Sequence, residues 1–366
     1  NAYQNSFENN EVAPLCKYND GWLMELWHGP TSAFKDVALT LLPHLLTAAY
    51  QNQNENDLIS ILTATSGDTG KAAINGFADV KNTAITVLYP EIGVSDIQKR
   101  QMQTSLGKNV EVIAVKGNFD DCQRIVKDAM KDPVVLEACK HMKLSSANSI
   151  NIGRLIPQIV YYFDSYAKLV NHGDIQLGDV VNFVVPSGNF GNLTAGLIAK
   201  TLGLPIKRFI ASTNANDTVP RYLESGNWAP KATVATLSNA MDVSRPNNWP
   251  RVEELFKRNG WNLADLGSGM LSDGETEETL KAMYAKGYLC EPHGAIAYQV
   301  LKDQLKADET GIFLCTAHPA KFKESVERIL SLDLPLPEAL DKHNKLPLLS
   351  DEMDDDFAQL RAYLLK

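Results

Sequence analysis

The sequence predicts an α/β protein: mostly parallel, twisted sheets with helices on both faces. Three observations predict it. Apolar runs of strand length alternate with segments of helical spacing. Two of those runs end in a glycine loop that opens a helix. No repeat or low-complexity tract interrupts the alternation.

Taken in order, Leu58–Thr63 is the first clear strand, and Ala64–Gly70 turns it into a helix through Lys71–Ile74. Ala84–Tyr89, Val110–Val115, Val180–Val185, Arg208–Ser212 and Ile312–Cys315 follow as strands, because such near-continuous apolar runs suit parallel strands buried on both faces. Between the second and third of these, Cys122, Ile125, Val126, Ala129 and Met130 recur at helical spacing behind Asn118 and two acidic residues. That is a capped amphipathic helix, with Cys122 in the core. Leu155–Phe163 and Leu193–Leu202 read as apolar helices, and His172–Asp179 as an exposed connection. The acidic run Asp351–Asp356 reads as a solvated cap on a last helix.

At 366 residues the chain is long enough for two domains. A net charge of −9 leaves no basic stripe for nucleic acid, so none is expected as a partner. No apolar run reaches membrane-spanning length and no secretory signal is visible, which predicts a cytoplasmic protein with no membrane partner. The five cysteines, Cys16, Cys122, Cys139, Cys290 and Cys315, never form a C-x-x-C pair and read as thiols of a reducing compartment. His28, His293 and His318 lie in Gly/Pro-rich turns without zinc spacing, so no metal is expected and each reads as a hydrogen-bonded turn residue. Lys321 and Lys323 read as solvated helix charges.

Chemistry enters at Lys35, held between the Gly29-Pro30 turn and the start of an apolar helix. Desolvation beside Phe34 and a positive helix end both disfavour the ammonium, which suits an imine-forming lysine; a surface lysine at a helix start is the alternative. A second motif, Ser187-Gly188-Asn189-Phe190-Gly191-Asn192, joins a strand to a helix. Its glycines let backbone N–H groups approach a phosphate, although a tight turn uses glycine too. Ala64–Gly70 offers hydroxyls and N–H groups to another anion. Neither loop has the spacing of a nucleotide motif. A phosphate cradle without nucleotide machinery, together with a candidate imine lysine, points to pyridoxal 5'-phosphate.

The segments HGPTSAFKD (28–36), TATSGDTG (63–70), SANSINIGR (146–154), VPSGNFGNLTAG (185–196), TNANDTVPR (213–221), TLSNAMDVSRPNNWPR (236–251) and TAHPAKFKESV (316–326) together resemble the threonine synthase family from about Leu23 to the C-terminus. The family usually carries a substantial N-terminal domain, and the numbering begins at Asn1 without it. The resemblance implies a fold-type-II pyridoxal-phosphate enzyme, two domains around the cofactor, and conversion of O-phospho-L-homoserine and water into L-threonine and phosphate by γ-elimination and β-hydration. It also implies a discontinuous organisation, with 1–56 and 163–366 forming a larger cofactor-binding domain and 57–162 a smaller inserted one.

Site roles carry over by position as implications of the same resemblance. Lys35 would carry the cofactor as a Schiff base and, once released, shuttle protons at the substrate's α, β and γ carbons. Ser187, Gly188, Asn189, Phe190, Gly191 and Asn192 would hold its phosphate. Thr316, after a buried strand, would meet the pyridine nitrogen through its hydroxyl; a strand-end threonine capping a turn is the alternative. Asp68 would stand near the cofactor's 3-oxygen, where related enzymes often have asparagine; protonation, a water-mediated contact or a loop-orienting role are the alternatives. Ser66 and Thr69 would bind the substrate's carboxylate or phosphate. Asn148, Ser149 and Arg154 match substrate-phosphate positions and Asn151 supports their turn, against N-caps and a surface arginine as alternatives.

Two further readings stay open: a pyridoxal enzyme such as a threonine dehydratase, acting on unphosphorylated hydroxy-amino acids, and an anion-binding relative without activity. Monomer and homodimer are both compatible with the sequence.

Overall fold

The computed structural model describes residues 2–4, 6–8, 11–19, 21–53, 57–140 and 142–365. Its strands are β1 (Leu15–Tyr18), β2 (Gly21–Glu25), β3 (Leu58–Ala64), β4 (Thr83–Pro90), β5 (Val110–Lys116), β6 (Met142–Ser145), β7 (Val181–Pro186), β8 (Ile206–Thr213), β9 (Gly267–Met270), β10 (Thr310–Cys315) and β11 (Asp351–Asp354). They form two sheets, ordered β1-β2-β10-β7-β8-β9 and β11-β5-β4-β3-β6. Among the described residues every strand pairing is parallel except the β1–β2 hairpin. This is the expected α/β class, and each strand read from the sequence lies within two or three residues of an observed one.

The chain divides into two compact units, one of Asn1–Ser6, Lys35–Arg154 and Leu336–Lys366, the other of Phe7–Phe34 and Leu155–Pro335. The five-stranded sheet belongs to the first and the six-stranded sheet to the second. These crossings differ from the expected boundaries at 56/57 and 162/163, and packing explains why. The helix Lys35–Leu39 runs against the helix Asp68–Phe77 so closely that a Cβ on Gly76 would lie 2.1 Å from the Leu39 carbonyl oxygen. Leu39 and Leu42 share one core with Ile59, Ile74 and Phe77. The acidic run contributes too: Asp351–Asp354 is an edge strand beside β5, and only Asp356 caps the last helix, accepting from the Ala358 N–H. Met353 and Leu360 then bury among Ile113, Cys122 and Ile125. An acidic strand is hard to read because its single buried residue, Met353, is the only one facing the core.

The helix over Cys122 forms as expected, spanning Phe119–Ala129 with Asn118 and Asp121 in a reciprocal capping box. In the second unit, β7 is buried at every position and runs directly into the glycine loop ahead of the helix Gly191–Thr201. Its neighbour in the sheet, β10, ends at Cys315, immediately before Thr316.

Candidate active site

In the first unit Lys35 begins its helix and is 7% exposed. Its Nζ donates to Asp68 Oδ2 at 3.3 Å, while Asp68 Oδ1 accepts from Gln98 Nε2 at 2.8 Å. Asp68 and Gln98 are both buried. Asp68 sits in the first turn of the helix Asp68–Phe77, where the helix dipole favours a negative charge. Ahead of it the loop folds around Thr65, whose hydroxyl accepts from the N–H groups of Gly67 (2.9 Å) and Gly70 (2.8 Å). Two donors of that glycine loop are therefore committed internally, and Ser66, Asp68 and Thr69 carry its remaining chemistry.

Arg154 is buried, not a surface side chain. Its guanidinium donates to the Ala147 carbonyl at 2.9 Å and reaches Thr69 Oγ1 at 3.5 Å, which brings together two of the residues expected at the substrate. Ser149 is buried nearby in sequence. The Asn148 amide is engaged at both ends with the backbone of Ala64, accepting from its N–H (3.0 Å) and donating to its carbonyl (2.6 Å). Asn151 supports the turn, donating to Ser146 O and accepting from Gly153 N.

The second unit holds the other loop. Phe190 has φ 59°, a left-handed residue just before the helix Gly191–Thr201, and among the described residues no side chain at this position caps the helix's first N–H groups. Gly188 packs against the backbone of another segment: a Cβ there would lie 2.9 Å from both Ala240 O and Met241 Cα. That segment is tied down in turn. Asp242 accepts from Thr236 Oγ1 (2.7 Å), Thr236 N (3.1 Å), Asn214 Nδ2 (2.9 Å) and Asn216 Nδ2 (3.1 Å). Burial nevertheless pushes its carboxyl up to about 7, partly offset by the Thr236 and Asn214 donors. Asn189 is fixed from the same side, its carbonyl accepting from Asn248 Nδ2 and its amide oxygen from Asn247 N. Ser187 is turned inward, its hydroxyl on Val185 O and its N–H on Ser212 O.

The residues of this loop fit a cofactor phosphate. The Asn192 amide oxygen accepts from the hydroxyls of Tyr161 (2.5 Å) and Tyr162 (2.6 Å), which fixes which end is oxygen. Its Nδ2 is buried with no hydrogen-bond partner among the described residues. A buried donor left open beside uncapped helix N–H groups is the donor set an anion completes. We expect Gly188→Ala to weaken cofactor affinity by about 1–3 kcal/mol, because the added methyl must displace the Ala240–Met241 backbone or the loop itself. Equilibrium titration of the cofactor-free variant with pyridoxal phosphate measures it.

Thr316 is buried, and the backbone N–H of Phe34, the residue before Lys35, donates to its carbonyl at 2.8 Å. Its hydroxyl and N–H lie 3.5 and 3.4 Å from Glu291 Oε1. Glu291, which no motif singled out, caps the helix Pro292–Gln304 and also accepts from His293 Nδ1 at 2.5 Å. His293 Nε2 accepts from Ala240 N, so its ring proton is on Nδ1. His318 caps the next turn through Ala320 N, and burial, helped by the nearby His28, lowers it to about 4. All three histidines named from the sequence make local hydrogen bonds, His28 to Glu25. Lys321 departs from expectation: it is fully buried, donating to Thr31 O at 2.9 Å, whereas Lys323 pairs on the surface with Glu327 and Asp333. The five cysteines are free thiols, and burial pushes those of Cys122 and Cys290 well up. Among the described residues no group of metal-ligating side chains is assembled, and no helix is long and apolar enough to cross a membrane.

Comparison with known proteins gives the family. Residues 10–316 match the family described as pyridoxal-phosphate dependent enzyme, and residues 294–364 the family described as threonine synthase, C-terminal. The chain is 65% identical over 355 residues to threonine synthase of Haemophilus influenzae, covering 97% of this chain and 81% of that one. The crystal structure of threonine synthase from Escherichia coli superposes with a TM-score of 0.88 at 49% identity, covering 96% of this chain and 80% of that one. That of pyridoxal-phosphate-bound threonine synthase from Brucella melitensis gives 0.87 at 34% identity, covering 100% and 82%. The chain therefore belongs to the pyridoxal-phosphate dependent enzymes of fold type II and, within them, to the threonine synthase family.

Proposed function

We propose that the protein converts O-phospho-L-homoserine and water into L-threonine and phosphate, with pyridoxal phosphate held on Lys35. The observation that carries the reading is the buried Lys35 amine directed at Asp68, one residue after a backbone fixed to Thr316. The cofactor, when bound, supplies an electron sink for negative charge developing on the substrate's carbons.

The chain's own residues do the rest. Gly188, Asn189, Phe190, Gly191 and Asn192 would hold the cofactor phosphate through backbone N–H groups and the Asn192 amide. Ser187 shapes that loop from beneath. Thr316 would hold the ring at its nitrogen, and Asp68 orients the Lys35 nitrogen. Lys35 Nζ takes and returns the protons at the α, β and γ carbons, a task suited to a compact, flexible amine. Arg154, with Thr69, Ser66 and Ser149, binds the substrate's phosphate and holds it as it leaves. Asn148 holds the end of β3 in place for them. Lys35, Asp68 and the substrate group fall in the first unit, the phosphate loop and Thr316 in the second.

This reading carries with it a cytoplasmic location, to which free thiols are suited, and a monomer or homodimer as the working form. Steady-state assays test the function. Purified holoprotein should release phosphate from O-phospho-L-homoserine with one threonine formed per phosphate. Keto acid from unphosphorylated threonine or serine, with no phosphate released from the phosphorylated substrate, would replace this reading with a dehydratase. No turnover of either would leave an anion-binding protein.

A further inference from the structure

We propose that Gln98 is a positioning residue that keeps Asp68 ionised and aimed at the Lys35 nitrogen. The inference rests on the reading that Lys35 carries the cofactor. Gln98 lies in the first turn of the helix Asp96–Gln103, where it completes a capping box with Ser95. Its Oε1 accepts from the Ser95 N–H at 3.1 Å, so its Nε2 is the end that faces Asp68, at 2.8 Å. The amide orientation is thus dictated by a backbone donor on one side and a carboxyl on the other.

An amide nitrogen donates and cannot accept, so the Asp68 oxygen in front of it carries no hydrogen. The second oxygen faces the Lys35 ammonium, which also only donates. The Gln98 donor thus favours Asp68 as a carboxylate, which leaves the proton of the pair on the Lys35 nitrogen. The same carboxylate favours the protonated form of the Lys35 nitrogen whether that nitrogen is free or bonded to the cofactor's carbon. An asparagine in place of Asp68 could not do this, because it has no charge to give.

The glycine loop is shaped around the same contact. Gly67 has φ +129°, and a Cβ on it would lie 2.7 Å from Gln98 Cδ, so the loop leaves room for this amide. Other charged groups lie on or beside the three elements. Asp36 is buried beside Lys35 in sequence, Lys71 is directed to Ser105 Oγ at 3.0 Å, and Arg154 donates to Thr69. Asp96 and Arg100 are exposed and Lys99 half-buried.

The test is a pH titration of the absorbance of bound cofactor in holoprotein, with thermal melting measured alongside. Gln98→Leu should raise the midpoint by about one unit, because a carboxylate that loses a donor holds the proton of the pair more tightly. Asp68→Asn should lower it, because the carboxylate that favours the protonated nitrogen is gone, and the double variant should titrate like Asp68→Asn alone. Gln98→Glu keeps the size and the Ser95 contact but replaces the donor with a second carboxyl, and the added negative charge raises the midpoint too. If both Gln98 variants melt earlier yet titrate like the parent, Gln98 is only a helix cap and the proposal is overturned. If Asp68→Asn shifts the midpoint and the Gln98 variants do not, the proposal fails while the role of Lys35 stands. Borohydride labelling at another lysine would instead remove the reading on which it rests.

Discussion

Alanine at Lys35 abolishes threonine formation, with kcat reduced by more than about 1,000-fold. General acid–base transfer alone contributes on the order of 10²–10⁴-fold, and here one amine is assigned both that work and the covalent attachment. The phosphate loop belongs to separate residues, so the variant should still take up cofactor noncovalently, without the absorbance of the lysine-bound form. Borohydride reduction of the parent followed by peptide mapping should place the pyridoxyl group on Lys35. A label on another lysine, or an alanine variant that keeps parental turnover, would overturn the assignment. Misfolding is a weak alternative explanation, because the side chain's hydrogen bond to Asp68 is only one of many contacts holding its helix: Val37, Ala38 and Leu39 are all buried.

Much of this site was legible before any coordinates because its parts are local. A glycine loop between a strand and a helix announces itself within a dozen residues, as Pro186–Asn192 does, and so does a lysine at a helix start. The capping box at Asn118 and the all-buried β7 belong to the same class. What stayed hidden are partners brought in from afar. Ser95 and Gln98 have the spacing of a capping box, which gives no sign that the amide also reaches Asp68, thirty positions away. Glu291 meets Thr316 only because the helix it caps begins next to the end of β10. Lys321 looks solvated beside Lys323, yet the short 3₁₀ turn Pro319–Phe322 points it inward to the Thr31 carbonyl. The unit boundaries differ from the expected ones for a related reason. Close approach at Gly76 and an edge strand made of acidic residues are settled by tertiary packing, which local pattern does not encode.

The specificity of the enzyme should collapse at Arg154. Replacement by alanine removes a charge-assisted donor from both the bound substrate and the departing phosphate, and truncating such a buried partner costs about 2–5 kcal/mol, or roughly 30- to 4,000-fold in kcat/KM. Cofactor binding should survive, since the Gly188–Asn192 loop lies in the other unit. Arg154 also holds the Ala147 carbonyl, so alanine leaves a buried acceptor unmet and some stability is lost with it. Arg154→Lys separates the two effects: it keeps a charge that can reach the substrate but loses the planar fork. Lysine should therefore recover part of the stability and only a small part of kcat/KM for O-phospho-L-homoserine. Parental turnover in the alanine variant would move the phosphate site elsewhere. Loss of bound cofactor, or a fall in activity that tracks melting temperature across both variants, would make Arg154 a structural residue of the Ser146–Arg154 turn.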